Sequence, residues 1–378
     1  MQQKSSQPKF LFVIDNLSTG GAQRQLINLA SGLKKRGYSI EVFCYALGDI
    51  LAKPLYDMAI PVHWHLKRSR FSLDVIFALR RVIAKGHHNM VISFLTTPNF
   101  YALLSGKLLS TSHLPVVVSE RFCDLPGGIS LTDYFSRQFY RLANHIVVNS
   151  HHQRSNFERK YPGLKGCVST IYNGFDLNLF TPPESEPGNN PIKIATIASI
   201  SRYKNGNCLI DALSLLRQNY NLTPTVAWIG QKVMSGDRLI YLNEMEKKLQ
   251  EYHLDSQWQW LGQRIDIVQQ LHQHDVLVHP SFGEGLPNVV CEALACARPV
   301  IVSNTLDHPR LVQDGQSGYL FDWQDPHDLA EKIKIFSDLS LAERKDMGQK
   351  GRSFAEQNLS VVRYVNQYER LFLDILNK

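Results

Sequence analysis

The sequence lacks the long apolar segments that characterise membrane-spanning and secreted chains. Among its 378 residues no apolar run approaches the ~18 that a transmembrane helix requires. The run Phe10–Ile14 is too short for the core of a secretory signal and is typical of a buried strand. We therefore expect no transmembrane segment and a cytoplasmic location.

Cysteine is scarce, and no arrangement of cysteine or histidine indicates a metal centre. The six cysteines form no Cys-x-x-Cys pair, and most adjoin apolar stretches, which predicts buried free thiols. No His-Glu-x-x-His motif is present, and the pairs His63-Trp-His65 and His272-Gln-His274 leave metal ligation as the weaker alternative. We therefore expect no metal and no cofactor. The cysteines are Cys44, Cys123, Cys167, Cys208, Cys291 and Cys296.

A dinucleotide-binding fingerprint is also absent. An NAD-dependent dehydrogenase needs Gly-x-Gly-x-x-Gly between a strand and a helix. Gly20 and Gly21 follow the first predicted strand, but the residues after them are Ala-Gln-Arg-Gln, which does not complete the motif. The strand–turn–helix geometry of such folds is therefore present without the signature of that enzyme class.

Charge is distributed unevenly along the chain. Residues 1–180 contain 21 Lys and Arg against 10 Asp and Glu, whereas residues 181–378 contain 20 against 24. A basic half favours an anionic partner, and the alternatives are a membrane surface, a pyrophosphate-linked substrate or nucleic acid. No nucleic-acid-binding motif is recognisable. A solvated basic surface without a partner is the remaining interpretation.

Short apolar strands alternate with amphipathic helices along the first half of the chain. Helical spacing from Ala22 to Arg36 follows the first strand, and Gly37 suits a helix C-cap. Continuous apolar runs separated by helices are typical of a parallel sheet that is covered on both faces. The predicted strands are Phe10–Asp15, Ile40–Cys44, Met90–Phe94, Val116–Ser119 and Ile146–Asn149.

The same pattern begins again after Thr181–Pro191, a Pro- and Gly-containing segment that is typical of a linker. We predict an α/β protein of two Rossmann-like, doubly wound parallel-sheet domains that face each other across a cleft. The predicted bounds are residues 1–181 and 182–358, with residues 359–378 forming a final amphipathic helix. The predicted strands of this half are Ile192–Ala198, Thr225–Gly230, Trp258–Gly262, Val276–His279, Val300–Ser303 and Tyr319–Asp322.

The densest chemical signal is PSFGEGLPNVVCEALA, residues 280–295. A glycine-rich turn carries Glu284, Pro287 suits the first turn of a helix, and Glu292 lies one turn beyond Asn288. A helix N-terminus binds phosphate, and a carboxylate accepts hydrogen bonds from two hydroxyls. Two acids at such a position predict a ligand with both phosphate and polyol groups. The alternative is that Glu284 caps the helix and Glu292 is solvated.

The block EGLPNVVCEALACARPVIVS resembles the Glu-x7-Glu signature of the retaining glycosyltransferases of family 4, which have the two-domain GT-B fold. The resemblance covers roughly Phe10 to Leu376. No Asp-x-Asp motif, which metal-dependent glycosyltransferases of another fold require, is present. Weaker matches in the family's order are Gly20–Ala22, Ser119–Arg121, Asn173–Asp176, Lys204–Asn205 and Leu261–Asp266.

The resemblance implies a role for each matched residue. Glu284 would contact the donor sugar near the reacting carbon, and Glu292 would hold the ribose hydroxyls. Lys204 would neutralise the departing diphosphate, with Arg202 either as a second cation or as a surface arginine. The final helix, Val361–Leu376, would return to the first domain. Further donor contacts would come from Gly20, Gly21, Ser199, Gly230, Gly262, Gln263, Arg264, Ser281, Gly285, Leu286, Pro287 and Asn288.

The chain departs from the family pattern at three places. Ser199 occupies a position where many members have arginine, and the loop Leu306–Arg310 has a base in place of the usual acid, which leaves donor preference open. No histidine follows the strand that ends at Phe94, where many members have one. Acceptor contacts are predicted instead from Thr96, Thr97, Asn99, Glu120 and Arg121.

The resemblance implies a metal-independent, retaining transfer of a hexose or N-acetylhexosamine from a nucleotide-diphosphate sugar. UDP is the first choice of nucleotide, and a GDP-mannose-dependent mannosyltransferase is the alternative. The acceptor would be a saccharide or a lipid-diphosphate-linked saccharide in surface polysaccharide synthesis, such as that of O-antigen or lipopolysaccharide. A non-catalytic basic nucleotide- or sugar-binding protein is the alternative of another class, but it leaves Glu284 and Glu292 unexplained.

Two basic, aromatic segments favour peripheral attachment to the inner face of the cytoplasmic membrane. They are His63–Phe71 and Tyr134–Arg141, which combine rings with Lys and Arg as segments at a lipid headgroup boundary do. Packing of the second segment's rings into the core is an equally good interpretation.

Overall fold

Two compact units make up the chain. The computed structural model describes residues 7–18, 20–69, 72–108, 114–121, 131–188, 190–232 and 235–378. The first unit comprises residues 1–174 with 361–378, and the second comprises residues 175–360. The divisions therefore fall after Gly174 and after Ser360, and the linker-like segment Thr181–Pro191 lies within the second unit.

The first unit is built on a seven-stranded sheet with the order β3-β2-β1-β4-β5-β6-β7, in which all neighbouring strands are parallel. Its strands are β1 (Lys9–Ile14), β2 (Ser39–Cys44), β3 (Val62–Trp64), β4 (Met90–Phe94), β5 (Val116–Glu120), β6 (His145–Val148) and β7 (Val168–Thr170). The helices between them are α1 (Gly21–Lys35), α2 (Lys53–Asp57), α3 (Leu73–Gly86), α4 (Thr96–Leu103), α5 (Leu131–Gln138) and α6 (His151–Lys160).

Both faces of this sheet are covered by apolar side chains. In β1, Phe10 and Phe12 pack on one face with α1, whereas Leu11 and Val13 pack on the other face with α3 and α4. Successive strand residues point to opposite faces, so a sheet that is covered twice needs an unbroken apolar run. This is why the short strands of the sequence are continuously apolar.

The second unit has a six-stranded parallel sheet with the order β10-β9-β8-β11-β12-β13. Its strands are β8 (Lys193–Ile197), β9 (Thr225–Ile229), β10 (Trp258–Gly262), β11 (Val276–His279), β12 (Val300–Ser303) and β13 (Gly318–Phe321). Its helices are α7 (Gly206–Tyr220), α8 (Gly236–Glu251), α9 (Ile267–Gln273), α10 (Asn288–Ala295), α11 (His308–Leu311), α12 (Pro326–Asp338) and α13 (Leu341–Asn358).

The last helix, α14 (Val361–Leu376), belongs to the first unit, as the resemblance implied. Its apolar stripe packs into the same core as α1 and buries Tyr364, Val365, Tyr368 and Phe372. The helices approach closely at Gly32, where an added Cβ would lie 2.5 Å from Cγ2 of Val365. The period of the stripe therefore fixes which side of α14 is buried, and Gly32 sets the spacing to α1.

Two strands were not predicted from the sequence. Strands β3 and β7 contain three residues each and lie at the two edges of their sheet, where side chains are partly exposed. The apolar pattern is therefore weak there. The other strands are confirmed to within a residue at each end.

The cysteines that the structure describes are free thiols, as predicted. Four are buried and Cys167 is half-buried; the buried ones are Cys44, Cys208, Cys291 and Cys296. Cys123 lies outside the described residues, and so does Phe71 of the basic, aromatic segment. Within the described part of the chain, no helix combines the length and apolar character needed to cross a bilayer.

Candidate active site

The loops that follow β8 and β11 are joined by hydrogen bonds to one carbonyl group. The carbonyl oxygen of Tyr203 accepts from Oγ of Ser281 at 3.1 Å and from the backbone N–H of Phe282 at 2.9 Å. The loop after β13 joins them, because the rings of Phe282 and Trp323 stack with centroids 4.4 Å apart. Parallel strands end at one edge of a sheet, so three loops from different parts of the sequence meet there.

This junction brings Lys204 against Glu284. The ammonium nitrogen of Lys204 lies 2.7 Å from Oε1 of Glu284, and the two side chains are only 17% and 13% exposed. Asn205 holds the turn after β8 in a left-handed conformation (φ 53°), and its side chain donates to the carbonyl oxygen of Trp323 at 2.8 Å. The turn therefore presents Lys204 to Glu284 from a fixed backbone.

Glu284 also contacts a histidine that the sequence analysis treated only as the end of a strand. Nε2 of His279 hydrogen-bonds to Oε1 of Glu284, the same oxygen that Lys204 contacts. Burial opposes ionisation of Glu284, but Lys204 and then His279 outweigh it and hold the pKa of its carboxyl well below the usual value. Glu284 is therefore a carboxylate at neutral pH, poised to accept hydrogen bonds from hydroxyls.

A second buried histidine lies behind the first. The rings of His279 and His308 meet edge to face with centroids 5.7 Å apart. Nδ1 of His308 donates to the carbonyl oxygen of Ser303 at 2.8 Å. Burial, and then the proximity of His279, lower the pKa of His308 to about 3, so this ring is neutral. The position of His279 at the carboxyl end of β11 is the sequence signal that could have identified it.

Helix α10 begins directly after the glycine-rich turn that carries Glu284. Pro287, predicted to lie in the first turn, is instead the N-cap residue, and the helix begins at Asn288. The side chain of Pro287 makes no capping hydrogen bond. Leu286 and Pro287 are buried, whereas Gly285, Asn288 and Glu292 are partly exposed. The N-terminus of a helix, with its positive dipole end, is suited to an anion. The prediction that Glu292 holds a ribose stays a prediction.

Arg202 points away from this cluster. Its guanidinium donates to Glu244 at 2.6 Å and lies over the ring of Tyr241 at 5.2 Å from the centroid. The side chain is 57% exposed. Arg202 therefore pairs with an acid of α8 at the surface, and its role as a second cation for the phosphates stays a prediction.

The remaining donor-site predictions of this unit lie at the ends of β8, β9 and β10. An added Cβ at Gly230 would lie 1.9 Å from the carbonyl oxygen of Ala198, so only glycine fits between these strand ends. Gly262 has φ 67°, a conformation that favours glycine. Arg264 is exposed and donates twice to Asp266 at 2.8 Å, and Gln263 and Ser199 are exposed.

In the first unit, Gly20 caps α1 and Gly21 is its first residue. As the N-cap residue, Gly20 has no side chain that could cap the helix. The side chain of Gln23 donates to Asp15, at the end of β1, at 3.2 Å. The N-terminus of α1 therefore lies at the carboxyl edge of the sheet, and the contact of Gly20 and Gly21 with the donor stays a prediction.

The predicted acceptor residues divide into buried and exposed ones. Asn99 and Glu120 are fully buried: Asn99 accepts from Ser93 at 2.7 Å, and Tyr140 donates to Glu120 at 2.7 Å. Burial, and then Glu120, raise the pKa of the Tyr140 hydroxyl, so it remains a donor. These side chains support the strand ends from inside, whereas Thr96 is half-buried and Thr97 is exposed.

Arg121 is saturated by contacts within its own unit. Its guanidinium donates to Ser119 at 2.8 Å, to Tyr368 at 2.9 Å, and to Asn173, and it lies over the ring of Phe94 at 4.9 Å. Ser119 lies on β5, Asn173 follows β7, and Tyr368 lies on α14. In this structure Arg121 holds the last helix in place, and its role in acceptor binding stays a prediction.

Among the described residues, no group of three or more His, Cys, Asp or Glu is arranged to hold a metal ion. His63 and His65, considered above as metal ligands, instead pair with Glu41 at 2.9 Å and with Asp74 at 3.0 Å. His272 bonds to the carbonyl oxygen of Thr181 at 2.7 Å.

The two parallel-sheet domains and their site define a GT-B glycosyltransferase, and comparison with family profiles agrees. The profile of the glycosyl transferases group 1 matches residues 180–354, and that of glycosyltransferase family 4 matches residues 19–179. Between them they span most of the chain. The chain belongs to the group 1, family 4 glycosyltransferases.

Solved structures share the whole fold. HepE of Anabaena, crystallised with UDP, superimposes with a TM-score of 0.82 at 21% identity and covers 97% of this chain and 100% of its own. A glycosyltransferase of Rickettsia africae gives 0.82 at 18% identity, covering 98% and 99%. At these identities the likeness establishes the fold.

Two relatives of known activity come from Campylobacter jejuni. One is GalNAc-alpha-(1->4)-GalNAc-alpha-(1->3)-diNAcBac-PP-undecaprenol alpha-1,4-N-acetyl-D-galactosaminyltransferase, 24% identical over 86% of this chain and 88% of its own. The other is N,N'-diacetylbacillosaminyl-diphospho-undecaprenol alpha-1,3-N-acetylgalactosaminyltransferase, 30% identical over 31% of each chain.

Proposed function

We propose that this glycosyltransferase moves a hexose or N-acetylhexosamine from a UDP-linked donor to a lipid-diphosphate-linked saccharide, with retention of configuration and without a metal. The proposal rests on the ionised Glu284, which lies just before the N-terminus of α10. Its Oε1 is 2.7 Å from Nζ of Lys204. The cluster combines a hydroxyl acceptor, a cation and the N-terminus of a helix, which together suit a nucleotide-diphosphate sugar.

The arrangement suits the charge that develops during transfer. Breaking a glycosyl–phosphate bond builds positive charge on the sugar and negative charge on the departing diphosphate. Preorganised cations and amide donors stabilise such a leaving group, and removal of one donor costs about 3–4 kcal/mol of barrier. Lys204 and the first amides of α10 supply these charges from the protein, which supports transfer without a metal. We assign Glu284 to the sugar hydroxyls and not to covalent catalysis.

The choice of donor rests on the relatives. HepE was crystallised with UDP, and the relatives from Campylobacter jejuni transfer N-acetylgalactosamine. Both observations favour a UDP-linked sugar over GDP-mannose, which is the second candidate. A panel of UDP-, GDP- and dTDP-sugars, NAD and an oligonucleotide distinguishes these possibilities, because a ligand that binds only the native state raises its melting temperature.

The proposed acceptor follows from the same relatives and from the basic first unit. Both relatives act on undecaprenyl-diphosphate-linked saccharides. Residues 1–180 carry 21 Lys and Arg against 10 Asp and Glu, which suits an anionic, membrane-bound substrate. Formation of an elongated lipid-linked product from a UDP-sugar would support the proposal, and transfer only to water would contradict it.

The outer face of α3 extends the membrane proposal beyond the two segments recognised in the sequence. Leu73 and Phe77 are 71% and 59% exposed, and Arg80 and Arg81 follow them on the same exposed side of the helix. Trp64 at the end of β3 and Leu66 after it are also exposed, and this segment is tied to the start of α3 because His65 bonds to Asp74 at 3.0 Å. Apolar side chains flanked by arginines suit an anionic bilayer surface.

The segment Tyr134–Arg141 combines both interpretations made from its sequence. Tyr134 and Phe135 are exposed, whereas Tyr140 is fully buried and Arg137 pairs with Glu120 at 3.4 Å inside the unit. The exposed rings of this segment are therefore Tyr134 and Phe135, near its start.

Sedimentation with vesicles tests the membrane proposal. The protein should bind phosphatidylglycerol vesicles at low salt, and binding to phosphatidylcholine vesicles should be much weaker. The double variant Leu73→Ser, Phe77→Ser should lose this binding. The control Ile240→Ser removes a side chain that is 56% exposed on α8 of the second unit. Equal binding by all three proteins, or none by the wild type, would end the membrane proposal.

The decisive test of function pairs activity with a site variant. Glu284→Gln should retain the fold and nearly abolish transfer from the preferred donor, since the amide cannot provide the same hydroxyl-accepting charge. Chelation by EDTA should leave the wild-type rate unchanged. Near-normal transfer by Glu284→Gln would remove Glu284 from the mechanism, and loss of activity with EDTA would contradict metal independence.

A further inference from the structure

Glu284 is anchored through only one of its two oxygens. Nζ of Lys204 and Nε2 of His279 both contact Oε1. Among the described residues, Oε2 has no hydrogen-bond partner, and the side chain is 13% exposed. The carboxylate therefore presents one free oxygen in a defined direction.

The contacts also determine which proton His279 carries. An ionised carboxylate can only accept, so Nε2 of His279 must be the donor to Glu284. Nδ1 of the same ring is buried and has no partner among the described residues. A proton on Nδ1 would be a buried donor without an acceptor, which is costly, so the contact with Glu284 is made by the N–H at Nε2.

The surroundings hold the ring of His279 in this orientation. The side chain is 1% exposed and belongs to the last residue of β11, so strand hydrogen bonds fix its backbone. The neutral ring of His308 packs against it edge to face, and Nδ1 of His308 is tied to Ser303. Groups on rigid strands with packed neighbours hold a site more tightly than groups on loops.

We propose that His279 is a positioning residue. It fixes Oε1 of Glu284, so that Oε2 stays directed at the sugar when the donor diphosphate binds the ammonium group of Lys204. This inference rests on the proposed function. A carboxylate held by Lys204 alone would have to share that cation with the phosphates of the bound donor. The side chain of His279 is only 1% exposed, so a diphosphate cannot reach it as it reaches Lys204, and its contact with Glu284 is kept when the donor binds.

Substitutions of His279 separate this role from simple packing. In glutamine, the amide nitrogen reaches about as far as Nε2 of histidine, whereas in asparagine it lies nearer the position of Nδ1. His279→Ala and His279→Asn should therefore lower kcat by about 10- to 100-fold, as loss of a supporting hydrogen bond commonly does. His279→Gln should recover most of the rate. The Kd for UDP should change little in all three variants, because UDP lacks the sugar that Glu284 holds.

The control is His274→Ala, which removes another buried histidine of the same unit, whose Nδ1 bonds only to the carbonyl oxygen of Gln270 at 2.6 Å. It should leave kcat near the wild-type value even if it lowers the melting temperature. In a Glu284→Gln background, His279→Ala should cause almost no further loss of kcat, because its effect passes through Glu284.

Three results would overturn the inference: wild-type kcat in His279→Ala, equal loss in the Gln and Asn variants, or a multiplicative loss in the double variant. If the wild type transfers sugar from no donor, the proposed function fails instead. The contact itself is then tested by urea unfolding: His279→Ala and Glu284→Gln should be non-additive in stability, and His274→Ala and Glu284→Gln should be additive.

Discussion

Lys204 and Glu284 follow different strands, yet Nζ of Lys204 lies 2.7 Å from Oε1 of Glu284. The contact exists because the carbonyl oxygen of Tyr203 accepts hydrogen bonds from Ser281 and Phe282. An ammonium group and a carboxylate are thereby held together at the open end of α10 before any ligand binds. Both charges are available to a diphosphate sugar without rearrangement of the backbone.

Lys204→Met should reduce transfer by about 10²–10³-fold, because the departing diphosphate loses its principal cation. The loss should appear in kcat with the preferred UDP-sugar under saturating donor. Lys248→Met is a matched control, since Lys248 on α8 pairs with Asp211 on α7 at 2.7 Å and at a similar exposure. If both variants lose activity equally, general destabilisation and not the site accounts for the effect.

Glu284 should make the stability of the protein depend on pH. Its pKa is lower in the folded protein than in the unfolded chain, where it is about 4.3. The ionised carboxylate therefore stabilises the fold above that value, and this contribution is lost as pH falls through the lowered pKa.

Urea unfolding of the wild type and of Glu284→Gln should therefore differ by a constant amount near neutral pH. Below about pH 4.3 the wild type should lose stability relative to the variant. Curves that stay parallel down to pH 3 would show that Glu284 has an ordinary pKa in the folded protein.

Gly32 should respond to substitution according to its neighbour on α14. Alanine normally stabilises a helix relative to glycine by about 1 kcal/mol, but overpacking costs about 1–3 kcal/mol. An added Cβ at Gly32 would lie 2.5 Å from Cγ2 of Val365, so Gly32→Ala should destabilise the protein. With Val365→Ala present, the same substitution should stabilise it.

Thermal and urea unfolding measure both effects of Gly32→Ala. The control is Gly163→Ala, at a glycine around which nothing lies within 4 Å of an added Cβ. A stabilising Gly32→Ala in the wild-type background would mean that α14 is packed less closely on α1 than the structure indicates.

Arg121 should contribute chiefly to stability. Its guanidinium donates to Ser119, Asn173 and Tyr368, and a lysine ammonium cannot reach all three. Arg121→Lys should lower the free energy of unfolding by about 1–3 kcal/mol, since buried acceptors are left unpaired. The KM for the acceptor should stay close to that of the wild type. A raised acceptor KM at unchanged stability would instead assign Arg121 to acceptor binding.

The predicted strands and the final helix illustrate what local pattern can establish. Strands such as Met90–Phe94 and Val276–His279 were predicted with the bounds that the structure has, because a strand buried on both faces must be apolar throughout. Strands β3 and β7 escaped prediction, since edge strands of three residues carry too few buried side chains to form a pattern.

The contacts of polar side chains, by contrast, could not be predicted from local pattern. Arg202 was considered as a second cation for the phosphates, but Glu244 on α8 accepts from its guanidinium. Asn99 and Glu120, predicted to contact an acceptor, are buried among Ser93, Tyr140 and Arg137. These partners could not be predicted from the neighbouring sequence, because they lie on other helices and strands.

The sequence by itself determined the α/β alternation, the basic first half and the Glu284 turn ahead of a helix, since each depends on residues close together in the chain. Only the tertiary structure decided that His279, backed by His308, and Lys204 converge on one oxygen of Glu284. The physical reason is the order of the strands: β8 lies next to β11 in the sheet, so loops distant in sequence end at the same edge.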